Sequence, residues 1–295
     1  MRKTFVEVAS KIIAEDSKTI LLLGDIGVYG FRNLTLSYPK RVLNMGISEQ
    51  SLIGTAAGLS MGGLIPIVHT IAPFLVERPL EQLKIDFGYQ QNAGNFVSVG
   101  ASYDYSKLGS THHAPGDVLT LLGIPGFQIM VPGTAAELSS LMLANYNNGK
   151  PNYYRLTENP NETSINLQLG KSKVIKQGNS ATILVIGPLL DLVLDTFMNR
   201  DVEIIYTNSV NPFDQETIAR NCGSSKVLIV EPFYEGTMSH LVLQALENRA
   251  VQIRAVGIKR EFITNYGDHN EISEVVGFTP ENLLKQFEIL CNSWQ

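Results

Sequence analysis

Apolar positions at helical spacing open the chain. Phe5, Val8, Ala9, Ile12 and Ile13 fall on one face of a helix predicted over residues 4–14, because positions three and four apart lie above one another on a helix surface. The run Thr19-Ile20-Leu21-Leu22-Leu23 then ends at Gly24-Asp25. It reads as a strand buried on both faces and stopped by a turn. A second strand is predicted at residues 41–45, and a helix over 51–60 carries Gly54, Ala56, Ala57 and Gly58. Such small side chains let another backbone approach closely. Further strands are expected at 65–70, 96–100, 128–132 and 152–156, with helical patterns at 80–88, 116–122 and 135–146. Strands alternating with helices in this way predict a parallel sheet with helices on both faces.

Between residues 159 and 178 the periodicity gives way to Asn, Thr, Ser, Gln and Lys, which predicts a connection between domains. A second series follows, with strands expected at 181–186, 202–206, 226–231 and 252–258 and helices at 189–198, 214–221 and 236–247. A helix over 280–290 closes it, with Thr279 as N-cap and Pro280 at the first helical position. The expected fold is α/β with two doubly wound domains, residues 1–165 and 178–295. A length of 295 residues agrees with two units of ordinary size.

The formal net charge is −5 and the Lys and Arg residues are scattered, so nothing marks a nucleic-acid or membrane surface. A few local cations would still suffice for a small anionic substrate. Cys222 and Cys291 stand far apart and fit no metal-ligand spacing, and both read as buried thiols. Acidic residues interrupt the N-terminus before any apolar run of signal-sequence length, and no later stretch is long enough to span a membrane. A cytoplasmic protein is expected.

Four stretches carry candidate chemistry. In Asn44-Met45-Gly46-Ile47-Ser48-Glu49-Gln50, Glu49 stands at a strand-to-helix turn. Taken alone it is a helix-start carboxylate, worth about 0.3–1 kcal/mol through the helix dipole. Thr111-His112-His113-Ala114-Pro115-Gly116-Asp117 places two histidines in a polar loop, where an imidazole can exchange protons near neutral pH. Ala72-Pro73-Phe74 leads into Arg78-Pro79-Leu80-Glu81-Gln82, and Tyr153-Tyr154-Arg155-Leu156 ends a predicted strand with a cation. A Phe near a strand end is commonly core, and a lone Arg commonly a solvated surface charge.

Asn44 to Gly58, with Leu64-Ile65-Pro66-Ile67 after it, resembles the pyrimidine-binding domain of transketolases. It is also similar to 1-deoxyxylulose-5-phosphate synthase and the pyruvate dehydrogenase beta subunit. Tyr266-Gly267-Asp268 and Val276-Gly277-Phe278-Thr279-Pro280 are similar to the end of transketolase, so the resemblance spans nearly the whole chain. It implies a thiamine-diphosphate-binding pyrimidine domain followed by a transketolase C-terminal domain. It also implies that Glu49 hydrogen-bonds a ring nitrogen of the cofactor's aminopyrimidine, favouring the imino form that removes the thiazolium proton. By the same resemblance Phe74 stacks on the pyrimidine, and Asp25 and Ile47 border the cofactor. His112 would then face the reacting oxygens of the substrate, beside His113 in place of the family's glutamine. Arg155 would bind the phosphate or hydroxyls of an acceptor.

One signature of that family is missing. The Gly-Asp-Gly and later Asn that hold the diphosphate and Mg2+ do not occur, because the Gly-Asp pairs here continue with Ile26, Val118 and His269. A partner subunit must supply that half. Lys107 or Leu108 also stands where sugar-phosphate transketolases carry an acidic residue, which leaves open whether the sugar substrate is phosphorylated.

The resemblance therefore implies the C-terminal subunit of a split transketolase in carbohydrate metabolism, moving a two-carbon ketol unit from a ketose to an aldose. Such a chain would be active with an N-terminal diphosphate-binding subunit, in an α2β2 assembly self-associated through the pyrimidine domain. The beta subunit of a 2-oxoacid dehydrogenase is the nearest alternative, and the Thr111-His112-His113 stretch speaks for the ketol transferase. A catalytically silent, transketolase-like scaffold is the alternative of a different kind.

Overall fold

The structure, a computed structural model, describes residues 1–292. Two sheets organise it. The first half runs α1 (Arg2–Glu15), β1 (Thr19–Leu23), α2 (Arg32–Ser37), β2 (Val42–Asn44), α3 (Glu49–Met61), β3 (Ile65–Ile71), α4 (Ala72–Val76) and α5 (Leu80–Gln82). A π-helical turn, Leu83–Tyr89, leads to β4 (Gly94–Val99), α6 (Asp117–Leu122), β5 (Gln128–Met130), α7 (Ala135–Asn145) and β6 (Pro151–Arg155). In the sheet order β5-β6-β4-β3-β1-β2 every neighbouring pair is parallel. Helices cover both faces of this sheet. One face carries Ile20, Leu22, Val68 and Phe96 against α3 and α6, and the other carries Leu21, Leu23, Ile67 and Val97 against α1 and α7.

The second half contributes β7 (Ser172–Lys176), β8 (Thr182–Ile186), α8 (Leu190–Phe197), β9 (Glu203–Thr207), β10 (Ser209–Asn211), α9 (Gln215–Asn221), β11 (Lys226–Tyr234), α10 (Ser239–Ala245), β12 (Gln252–Ile258), α11 (His269–Val276) and α12 (Pro280–Asn292). Its sheet has the order β12-β11-β8-β9-β7, with β7 antiparallel to β9. The continuous apolar runs at 183–186 and 227–230 are buried on both faces, as a central parallel strand requires. Thr279 caps α12 as expected, its hydroxyl accepting from the Asn282 N–H at 3.2 Å.

Three features differ from the sequence expectation. The polar stretch 159–178 is only partly a connection, because its second half forms β7 at an edge of the second sheet. Among the described residues that edge has no strand beyond it, so its side chains need not be apolar. β10 leaves the second half and joins the first sheet antiparallel to β5. The helix expected over 80–88 is broken into α5 and the π-helical turn. Of the two cysteines, both free, Cys222 is buried and Cys291 is half-buried. No helix among the described residues is long and apolar enough to cross a membrane.

A buried carboxyl fastens the turn after β11. Glu231 accepts from the Gly236 N–H at 2.5 Å and the Met238 N–H at 2.9 Å. Burial pushes this carboxyl up to about 8, against the backbone donors that favour its charged form. The folded chain therefore holds a proton that the unfolded chain, with an ordinary value near 4.5, has released. Its stabilising contribution is full below the unfolded value and is lost as pH rises through the folded one. Urea midpoints measured from about pH 5 to about pH 8 should fall more steeply for the wild type than for Glu231→Gln. Identical slopes would show that this carboxyl does not titrate in that window.

Candidate active site

The carboxyl ends of parallel strands are where open α/β sheets bind ligands, and four side chains converge there. Glu49 is the first residue of α3, after Ser48 as N-cap in a non-helical conformation. It is only 4% exposed. Burying a carboxylate costs several kcal/mol unless it is compensated, and Arg78 Nη1 meets Glu49 Oε1 at 2.7 Å. Arg78 lies just beyond α4, and its carbonyl accepts from Gln50 Nε2 at 3.2 Å. Its guanidinium lies 3.7 Å from the centre of the half-buried Phe74 ring. Phe74 in turn meets His112 edge to face, with ring centres 5.3 Å apart. His112 Nδ1 is 2.9 Å from the Thr111 hydroxyl.

The structure thus links Glu49, Phe74 and His112 through a residue that sequence reasoning passed over. Arg78 had a legible signal. It stands four positions after Phe74, one helical turn on, and a carboxylate at the start of a buried helix needs a cation. Nothing in the spacing, however, shows that a residue 29 positions from Glu49 provides it.

Asp25 and Ile47 lie on the rim. Asp25 adopts a left-handed backbone, φ 59°, and is exposed. Its Oδ1 accepts from Asn44 Nδ2 at 2.9 Å, and its N–H donates to Asn44 Oδ1 at 3.1 Å. Asn44 also accepts from the Gly46 N–H at 3.2 Å, so one amide ties the ends of β1 and β2 to the turn before Glu49. Ile47 is held out at the tip of that turn and is exposed.

The two histidines separate. His113 is buried, and neither ring nitrogen has a hydrogen-bond partner. Burial lowers its pKa, partly countered by the Tyr105 backbone nearby, which favours protonation without reaching good bonding geometry. Only His112 is offered to the cleft.

Arg155 lies in the interior and not on the surface. It is 2% exposed, and its Nε donates to Asp117 Oδ2 at 2.7 Å. Its Nη2 reaches the Ser102 hydroxyl at 3.1 Å and the Ala114 carbonyl at 3.3 Å. Asp117 also accepts from Tyr153 at 2.6 Å and from the Val118 N–H at 2.8 Å. Burial and the Asp117 charge push the Tyr153 phenol well up, so it remains a donor. The guanidinium is occupied beneath the loop that carries the histidines, where an acceptor's phosphate would have to displace its partners.

Among the described residues no group of three His, Cys, Asp or Glu could hold a metal ion. The chain is similar to known proteins along nearly its whole length. It is 34% identical to an uncharacterised protein of the fasciation locus of Rhodococcoides fascians, over 97% of this chain and 94% of that one. It is 26% identical to an apulose-4-phosphate transketolase subunit of Phocaeicola vulgatus, over 96% of this chain and 95% of the relative. A solved structure of a split gene transketolase, an inactive β4 tetramer, superposes with a TM-score of 0.86 at 22% identity, covering 98% and 97% of the two chains. The family model of the transketolase pyrimidine binding domain matches residues 1–161, more than half of the chain. By that match the chain belongs to the transketolase pyrimidine-binding family.

Proposed function

We propose that this chain is the C-terminal subunit of a split, thiamine-diphosphate-dependent transketolase that moves a two-carbon ketol unit from a ketose to an aldose. The run Glu49, Arg78, Phe74 and His112 carries the proposal. Its donor set fits the pyrimidine half of the cofactor: a buried carboxylate for a ring nitrogen and, on the side of Phe74 away from Arg78, an aromatic ring for the flat ring, with Asp25 and Ile47 at the rim. When bound, thiamine diphosphate supplies the nucleophilic carbon. Glu49 holds a proton at the pyrimidine nitrogen, and Arg78 fixes the carboxylate that does so. His112 moves protons to and from the oxygens of the sugar. His113, buried behind His112 with neither ring nitrogen paired, is proposed as a second group toward a sugar or sugar phosphate.

The diphosphate and Mg2+ fall to the N-terminal subunit in this reading. The Phocaeicola vulgatus relative is by its name one part of a transketolase, and it supports ketol transfer over the acyl transfer of a 2-oxoacid dehydrogenase. Self-association has support in α3, where a Cβ built on Gly54 or Gly58 meets nothing within 4 Å. That open space leaves room for a backbone from another chain. A second copy there, with one diphosphate-binding subunit for each, would give an α2β2 assembly, and the solved relative is itself a tetramer of β chains.

Calorimetric titration with thiamine diphosphate and Mg2+ tests the division of labour. The chain alone is expected to bind weakly, and the complex with a co-purified diphosphate-binding subunit tightly. Tight, Mg2+-dependent binding to the isolated chain would contradict the split site. Absence of binding in the complex would favour the silent scaffold.

A further inference from the structure

The second domain reaches into the candidate site. Residues 259–268, between β12 and α11, run alongside the turn that presents His112. Gly109 has φ +73°, a backbone conformation that favours glycine, and a Cβ built on it would lie 2.7 Å from Tyr266 Cε1 and 2.8 Å from its hydroxyl. Tyr266 therefore packs directly on the Gly109 backbone while remaining 72% exposed. Next to it the Ser110 hydroxyl donates to the Ile263 carbonyl at 2.7 Å. The turn closes when the His112 N–H donates to the Gly109 carbonyl at 3.0 Å.

Both sides of this contact rest on fixed structure. Asp268 opens α11 with a capping box, accepting from the Asn270 and Glu271 N–H groups at 2.9 and 3.0 Å while Glu271 accepts from the Asp268 N–H at 2.8 Å. That pins the chain two residues after Tyr266. On the other side Tyr103 stacks on His269, ring centres 4.9 Å apart, and its hydroxyl pairs with Ser273 at 2.9 Å. Ser102 donates to the Pro232 carbonyl, and the Tyr234 N–H donates to the Pro115 carbonyl at 2.9 Å. The histidine loop is held by the second domain at its start, middle and end.

We propose that Tyr266 and the Ile263 carbonyl are positioning groups for His112, which makes the second domain a working part of the ketol-transfer site. The inference rests on the assignment of His112 above. Removing the Tyr266 ring frees the Gly109–His112 turn and misplaces the imidazole, while Glu49 and its carboxylate chemistry stay as they are. A misplacement of about 1 Å can cost up to about 10²-fold in rate.

The test uses the complex with the diphosphate-binding subunit and reads two quantities: exchange of the cofactor's thiazolium proton and turnover of ketol transfer. Tyr266→Ala should lower kcat for transfer by about 10- to 100-fold with proton exchange unchanged, and Tyr266→Phe should restore it. Gly109→Ala should do the same harm, and combining it with Tyr266→Ala should add less than the two losses together, because the clash is shared. A merely structural role would lower the unfolding midpoint and both rates in parallel, and would overturn the proposal. So would wild-type transfer by Tyr266→Ala when His112→Ala has lost it. Should His112→Ala itself transfer at the wild-type rate, the His112 assignment fails first and the positioning role with it.

Discussion

Glu49→Gln is expected to lower thiazolium proton exchange and ketol transfer together, by about 10²- to 10⁴-fold, in the assembled enzyme. The amide has nearly the same shape and keeps an oxygen for Arg78, so packing at the start of α3 survives. Removing a charge from a pair whose arginine is 42% exposed on its side chain costs little stability, because solvent screens it. Arg78 also keeps its seat over Phe74. What the amide cannot do is share a proton with a ring nitrogen as a carboxylate does. The measurement is deuterium exchange into the cofactor at saturating concentration in both proteins. If Glu49→Gln binds the cofactor and exchanges at the wild-type rate, Glu49 is a helix-start carboxylate and the catalytic reading of this chain falls.

The second large effect concerns stability. Arg155→Ala leaves Asp117, which is 0% exposed, without its cation. Breaking a buried pair by removing one partner costs about 3–5 kcal/mol, mainly because the remaining charge stays desolvated. Denaturant unfolding of the isolated chain should show that loss, and Arg155→Met with Asp117→Leu should recover much of it, since both charges are then gone. A variant that unfolds at the wild-type midpoint while the KM for a phosphorylated acceptor rises would return Arg155 to the substrate site.

Arg155 also shows where sequence reading stops. An arginine at a strand end looks like a surface or ligand cation until Asp117, 38 positions earlier, is seen beneath it. Glu49, Phe74 and His112 were legible because each stands in a short stretch with a recognisable order of residue types. The pairing of Arg78 with Glu49 was not, because it depends on the chain after α4 turning back toward the start of α3. The central strands were legible for a simpler reason: buried on both faces, they must be largely apolar, and the strand expected at 181–186 is found as β8, Thr182–Ile186, with every position buried. β7 and β10 are short edge strands with polar residues, so neither periodicity nor composition separates them from loop.

β10 has a consequence for how this gene can be dissected. A cut in the polar stretch after residue 165 divides the chain evenly by pattern but takes Ser209–Asn211 away from the strand they cover, Gln128–Met130. The first half then carries an open strand edge, a template for pairing with other chains. The second half keeps a segment with no sheet to join. The two domains are successive in sequence yet interlocked in space, and a fragment ending at the apparent boundary would inherit that fault.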